Sequence, residues 1–448
     1  MNEKTIEVFK NAPVPKAVMS NVIPSIISML MVLVYNLADT FFIGQTKDAY
    51  MVASVSVATP AFLLFMAVGM LFGIGGTSLI SRKLGEGDYK KAKQASSFCF
   101  WTGASIGMVA AVMMLLFATN IARVVGASEQ TIGYASEYLR IVAVCIPFLI
   151  VSNAFSNIIR AEGSPKVAMS GMILGNMVNI VLDPIMILGF KWYVAGAAIA
   201  TVFGNFCSAG FYIYHILKKS DLLSIKLKDY APGNGIASGI FAIGIPASLN
   251  SILISTSNIL INNMMAGYSD MAVAGLGVAM KVNMLVVMLL IGLGTGIQPL
   301  LGYCYGAKNR ERYIAVLKFS TILAFSLSMV MTCICFFGAK FLVTAFLDNP
   351  NAFDYGFRFS RILIYSGPIM GIMFVFINAI QSLGAAFPAL ILNVSRQGLV
   401  YIPLLFVIKN LFDSPFALAA TQPTADYIAA TLAIILFIYS YKKYFGHE

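Results

Sequence analysis

The sequence predicts an all-α membrane protein of twelve transmembrane helices in two parallel six-helix repeats, with both termini in the cytoplasm. Three observations carry this. Apolar runs of about 20 residues, the helical span of a bilayer core, recur along the whole chain. Residues 52–168 reappear, weakly but in register, 221 positions later. Lys and Arg collect at the termini and in alternate loops, the bias of cytoplasmic segments.

The apolar runs lie near 17–43, 50–76, 94–118, 133–158, 166–190, 193–217, 236–264, 272–298, 314–338, 354–379, 387–410 and 424–442. Overall, 59% of residues are hydrophobic and 11% charged, with a mean hydropathy of +0.84, against roughly 25% charged in a soluble domain. Backbone groups have no partner in lipid, so a span must be a helix or part of a closed barrel. These runs are too long and too continuously apolar for barrel strands.

The repeat maps Gly73, Gly75, Leu79 and Gly85 onto Gly294, Gly296, Leu300 and Gly306. Further on it maps Tyr134, Arg140, Pro147, Phe155 and Asn157 onto Tyr355, Arg361, Pro368, Phe376 and Asn378. Six spans per copy is an even number, so both copies enter the membrane from the same side and are related by an axis along its normal. The polar stretch 218–235 (KKSDLLSIKLKDYAPGNG) joins a first lobe, 1–217, to a second, 236–448. A membrane protein made of two copies of one unit places its cargo site at their interface.

The net charge of +11 at first suggests a nucleic-acid partner. Position excludes it: Arg82, Lys83, Lys90, Lys91, Lys218, Lys219, Lys308 and Arg310 fall in alternate loops, while the other loops hold only scattered residues such as Lys47, Arg123, Lys191, Lys340 and Lys409. The excess is a topology signal. Residues 1–16 are polar and carry both charges, so no cleavable signal is expected. Six cysteines scattered through apolar segments form neither a disulfide framework nor a metal spacing. His215 and His447 are the only histidines, which excludes a two-His metalloprotease site. There is no G-x-x-x-x-G-K-[ST] run, and the Gly73 and Gly292 clusters, inside apolar spans, read as close helix packing.

Prolines inside spans (Pro24, Pro147, Pro184, Pro246, Pro368 and Pro403) mark places where helices bend. Nearly all acidic residues belong to loops or span ends; Asp39 and Asp183 stand inside spans one and five. An intramembrane carboxylate costs about 2.5–3.5 kcal/mol on insertion scales and by default points to function. Both lie a few residues before the outer end of an outward-running span, and Thr201 of span six falls at a similar depth. Asn176, Asn179 and Asp183 share one helix face. Two carboxylates, an amide and a hydroxyl at one level suit a hard cation or a proton. Tyr35, Asn36, Asn153, Asn157 and Asn176 are candidate lining of a substrate cavity, as are Lys281 and Arg396 of the second lobe. The structural alternative for the two cations is contact with broken-helix carbonyls or snorkelling.

Together, Pro24 with Asp39 in DTFFIGQ, the loop SRKLGEGDYKKA, the turn RAEGSPK and NxxNxxxDP at Asn176 to Pro184 resemble the multidrug and toxic-compound extrusion (MATE) family over essentially the full chain. The resemblance implies a V-shaped pair of lobes that exports cationic or amphiphilic compounds against inward Na⁺ or H⁺. It implies a cation site at Asp39, Asn179, Asp183 and Thr201, and a bend at Pro24 that accompanies protonation. It implies a multi-pass protein of the plasma membrane, monomeric, with small-molecule substrates and no cofactor beyond the coupling ion. One branch of the family carries acids in spans seven and ten; this sequence has none there, and so resembles the MepA-like branch that couples through the first lobe. Two other functions fit the sequence less well. A flippase for lipid-linked saccharides would line its cavity with several basic residues for a pyrophosphate, and a membrane glycosyl-transfer enzyme would need roomy outer loops for its acceptor.

Overall fold

The computed structural model describes residues 3–45, 49–124, 129, 131–346 and 349–445, with the backbone alone at 3–5, 40, 43, 44 and 49–61. Lys47 and His447 lie outside the described residues. A short amphipathic helix, α1 (Glu3–Asn11), precedes the first lobe. That lobe comprises α2 (Val14–Gly44), α3 (Ala49–Gly85), α4 (Tyr89–Val124), α5 (Ile132–Ala161), α6 (Pro165–Asp183) and α7 (Tyr193–Lys218). The second lobe comprises α8 (Ile236–Ala266), α9 (Asp270–Gly306), α10 (Arg310–Thr344), α11 (Pro350–Ile364), α12 (Gly367–Ser382), α13 (Ala386–Val394), α14 (Ile402–Leu411) and α15 (Pro415–Phe445). Among the described residues eleven helical segments are long and apolar enough to cross a membrane, and twelve are if α11 and α12, bent by 48° at their junction, count as one span.

Several irregularities fall on the predicted prolines. Pro368 sits in the first turn of α12, just beyond the bend. Pro184 opens a π-helical segment, Pro184–Gly189, that prolongs α6; a second one, Ser395–Tyr401, joins α13 to α14 just before Pro403. A proline leaves the carbonyl one turn earlier without its helical donor, and wider π turns are one way a helix accommodates that. Pro24 sits inside a continuous α2, and its carbonyl accepts from the Ser28 hydroxyl at 2.8 Å.

The repeat is visible as matched dimensions. Helices α2 and α8 are 31 residues each, and α3 and α9 are 37 each. The lobes meet where α3 packs on α8, α2 on α9, and α3 on α9, a set of pairings that a two-fold rotation maps onto itself. At one end of this seam a Cβ on Gly85 would strike the Tyr303 carbonyl oxygen, and one on Gly306 would strike the Arg82 carbonyl oxygen. The two contacts are the same contact seen twice, because 85 maps to 306 and 82 to 303 at the 221-residue offset. Nearby, the Ser78 hydroxyl donates across the seam to the Gln381 carbonyl at 2.5 Å. Within the first lobe, α5 is the central helix, packed on α3, α4 and α7. The flanking helices α4 and α10 turn large apolar side chains outward, with Leu116 70%, Phe337 80% and Phe341 78% exposed. Such a surface is stable against hydrocarbon and not against water.

The glycine contacts make the closed end of the seam testable. Gly85→Val and Gly306→Val should each weaken it by about 1–3 kcal/mol, the usual cost of overpacking. Spin labels at positions 90 and 310 should then report a longer and broader distance than in the parent protein. Distances unchanged in both variants would show that the seam does not depend on this packing.

Candidate functional site

A cavity of about 420 Å³ opens within the first lobe. Its walls come from α2 (Tyr35, Asn36, Asp39), α3 (Phe62, Met66), α5 (Tyr138, Ser152, Asn153), α6 (Asn176, Asn179) and α7 (Thr201, Asn205). The second lobe contributes Met284 and Met288 of α9 to its edge. The inter-lobe contacts of residues 22–26, 71–85 and 292–306 lie along the same helices to one side of the cavity, so the lobes seal it from that side.

Close approach of α6 and α7 builds the polar wall. Gly175 and Gly204 face each other, and a Cβ on either would lie 2.7 Å from the other's carbonyl oxygen. One turn beyond Gly175, the Asn179 amide nitrogen faces the carboxylate and donates to Asp183 Oδ2 at 3.0 Å, while its oxygen accepts from the Thr201 N–H at 3.1 Å and lies 3.3 Å from Thr201 Oγ1. The opposite amide orientation would set oxygen against oxygen. The Thr201 hydroxyl also donates to the Ala197 carbonyl at 3.0 Å. Asn205, one turn on, accepts from Ser152 Oγ at 3.1 Å and donates to the Thr201 carbonyl at 3.0 Å.

Asp183 is fully buried, and its Oδ1 has no hydrogen-bond partner among the described residues. Asp39 lines the cavity within electrostatic reach of it. Tyr35 and Tyr138 line the same cavity as Asp39. The amide nitrogen of Asn176 is likewise buried without a partner among the described residues. These are hard oxygen donors around an incompletely satisfied carboxylate, a set that fits Na⁺ or a proton. No three His, Cys, Asp or Glu side chains converge to hold a metal among the described residues.

The structure brings Tyr35, Asn36, Asp39, Asn153, Asn176, Asn179 and Thr201 onto one cavity, with Asp183 just behind its wall. Three other residues predicted for that cavity are elsewhere. Asn157 accepts from Arg160 at 2.9 Å and donates to the Asn153 carbonyl, below the cavity. Lys281 is exposed, with its ammonium 5.3 Å from the Phe346 ring centroid. Arg396 is buried in the second lobe against Asp426. Sequence reasoning placed Asp426 at a span end because it counted the last apolar run from 424; α15 starts at Pro415 and carries Asp426 well inside. It also missed Asn205, which lies four residues after Thr201 and so on the same helix face. Nothing in the local sequence around Tyr138 or Met284 marks them.

The MatE family profile matches residues 24–185 and again 246–407. The multidrug export protein MepA of Staphylococcus aureus is 33% identical over 413 residues, covering 92% of this chain and 91% of that protein. MepA of Staphylococcus saprophyticus is 32% identical over 415 residues, again covering 92% and 91%. In fold, the chain superposes with a TM-score of 0.92 on a MATE crystallised with MaL6, at 23% identity over 99% of both chains. An outward-facing multidrug resistance MATE family transporter of the MOP superfamily gives 0.92 at 23% identity, covering 99% of this chain and 98% of that one. With a profile match to each half and relatives at this identity over nearly its full length, the chain belongs to the MatE family of multi-pass membrane transporters.

Proposed function

We propose that this protein is an antiporter of the plasma membrane that exports cationic or amphiphilic small molecules in exchange for inward Na⁺ or H⁺. One observation carries the reading: a fully buried carboxylate, Asp183, has an oxygen with no donor among the described residues and lies just behind the wall of a cavity lined by Asp39 and by its own partner Asn179. In a low-dielectric site two nearby carboxylates resist being ionised together. A proton, a Na⁺ ion or a cationic substrate relieves the same repulsion, so each competes with the others. Asn179 holds Asp183 in place and Thr201 braces Asn179; Asp39 completes the charge across the cavity. Tyr35, Asn36, Asn153 and Asn176 offer polar contacts to a substrate, and Met66, Met284 and Met288 offer adaptable apolar ones. Export by the MepA relatives supports this assignment.

In this reading 1–217 and 236–448 act as the two lobes, joined by the segment 218–235, and Pro24 is the hinge through which α2 responds to charge at Asp39. Both termini and the loops around Lys90 and Arg310 face the cytoplasm, and Lys340 faces out. The seam near Gly85 and Gly306 is then the cytoplasmic seal.

Orientation is checked by single-cysteine labelling with an impermeant reagent, in a background lacking the six native cysteines. A cysteine at 340 should label in intact cells and one at 90 only after permeabilisation. The reverse pattern would invert the topology.

Coupling is checked by equilibrium binding of a cationic dye across Na⁺ concentration and pH, together with vesicle transport under separately imposed Na⁺ and pH gradients. Dye affinity should fall as Na⁺ rises or pH falls, by about 5–150-fold for coupling of ordinary size. Asp39→Asn and Asp183→Asn keep the size of the side chain and remove its charge, so each should flatten that dependence and abolish gradient-driven export at normal expression. Full coupled export by both variants would sink the assignment. Flat wild-type affinity across both variables would exclude competition at this cavity.

A further inference from the structure

The second lobe holds a buried ion pair where the first has its open polar cluster. Arg396, in the π-helical segment, donates from Nε to Asp426 Oδ1 of α15 at 3.1 Å, and the two side chains are 9% and 0% exposed. The same oxygen accepts from Gln422 Nε2 at 3.2 Å, and Oδ2 accepts from the Ser366 hydroxyl at 2.9 Å, at the bend between α11 and α12. The guanidinium lies over the Phe374 ring, 5.3 Å from its centroid.

The repeat identifies the counterpart of this cluster. At the 221-residue offset Ser366 corresponds to Cys145, Gln422 to Thr201 and Asp426 to Asn205. The equivalent spans also touch at this level in the first lobe, where Cys145 Sγ donates to the Thr201 carbonyl at 3.9 Å. The π-helical segment bearing Arg396 belongs to the span equivalent to α6, whose own π-helical extension follows Asp183. The same three spans of each lobe therefore build the same wall. In the first lobe Asp183 Oδ1, at the end of α6, lacks a donor among the described residues. In the second both carboxylate oxygens are met, one of them by a guanidinium of the chain itself.

We propose that Arg396 is a built-in cation: it occupies the second lobe's counterpart of the coupling site, so that lobe takes up no coupling ion, and removing its charge while keeping Asp426 opens a site for a monovalent cation or proton. The inference rests on the cation reading of the first lobe. A carboxylate buried at this depth must be paired or neutralised. Without Arg396, Asp426 would be left with the Ser366 hydroxyl and the Gln422 amide, whose oxygen can turn to face a cation; these are hard donors of the kind found in the first lobe. Tyr401, in the same π-helical segment, is the other titratable group facing Asp426. A guanidinium cannot be deprotonated under ordinary conditions, so the substitute is permanent.

The test compares purified full-length wild type with Asp183→Asn, Arg396→Met, Arg396→Lys and the double variant Arg396→Met/Asp426→Asn. Two readouts are taken: binding of radiolabelled Na⁺ and of protons per chain, and thermal unfolding across Na⁺ concentration and pH. Arg396→Met should bind one more cation per chain than wild type, and its unfolding temperature should rise more steeply with Na⁺ or acid, because a ligand that binds only the folded state stabilises it. Both increments should vanish in the double variant, and Arg396→Lys should behave as wild type. The proposal is overturned if Arg396→Met matches wild type in both readouts, or if the increments survive in the double variant. It is equally overturned if Arg396→Met fails to fold at every Na⁺ concentration and pH while the double variant folds. The Asp183→Asn arm is separate: equal cation binding in wild type and Asp183→Asn defeats the first-lobe reading, whatever Arg396→Met shows.

Discussion

A carboxylate placed among apolar helices has few ways to be stable, and the rest of this structure follows from how two such groups are treated. Moving an ion from water into a medium of low dielectric costs far more than any single hydrogen bond returns, so a buried charge must be paired, hydrogen-bonded or neutralised. Asp426 has three donors, one of them charged. Asp183 has one amide donor, an oxygen with no partner among the described residues, and a second carboxylate nearby. The first arrangement is complete without any ligand. The second leaves room for a positive partner, which is the basis of the proposed coupling role.

That difference is set on top of a symmetric scaffold. The two lobes share matched lengths in their first two spans, α2 with α8 and α3 with α9, and reciprocal glycine contacts at the seam. What breaks the symmetry is a handful of side chains. Asn205 becomes Asp426 and Thr201 becomes Gln422 at the repeat offset, while Arg396 enters from the π-helical segment. A few side-chain differences at matched positions are thus enough to give the two lobes different charge arrangements on a shared packing scheme.

Much of this was legible in the sequence, and the reason is physical. Lipid demands long apolar helices, so spans appear as runs; the repeat appears because glycines at a close seam and prolines at bends tolerate little substitution. The grouping of Asp39, Asn179, Asp183 and Thr201 followed from depth and helix face alone. Residues whose roles depend on a partner far away in the chain were not legible. Arg396 and Asp426 are 30 positions apart, and nothing local says that they touch. Asp426 was further disguised by an apolar run that begins, in hydropathy terms, later than its helix does. Met284 and Met288 reach the first-lobe cavity only because α9 crosses α2.

The last point bears on how occupancy of the cavity can reach the seam. Its polar wall belongs to the first lobe, whereas Met284 and Met288 at its edge belong to the second. A ligand can shift a conformational equilibrium only by the difference in its affinity for the two states. A small cation at the proposed Asp183 site would touch the first lobe alone and act through local charge. A larger amphiphile that fills the cavity also touches α9, so its binding energy depends on how close the lobes stand. The two cargoes would thus be sensed differently, one through the electrostatics of a single lobe and the other through the separation of both. A ligand with equal affinity for both states shifts neither, so each ligand moves the lobes only through such a difference.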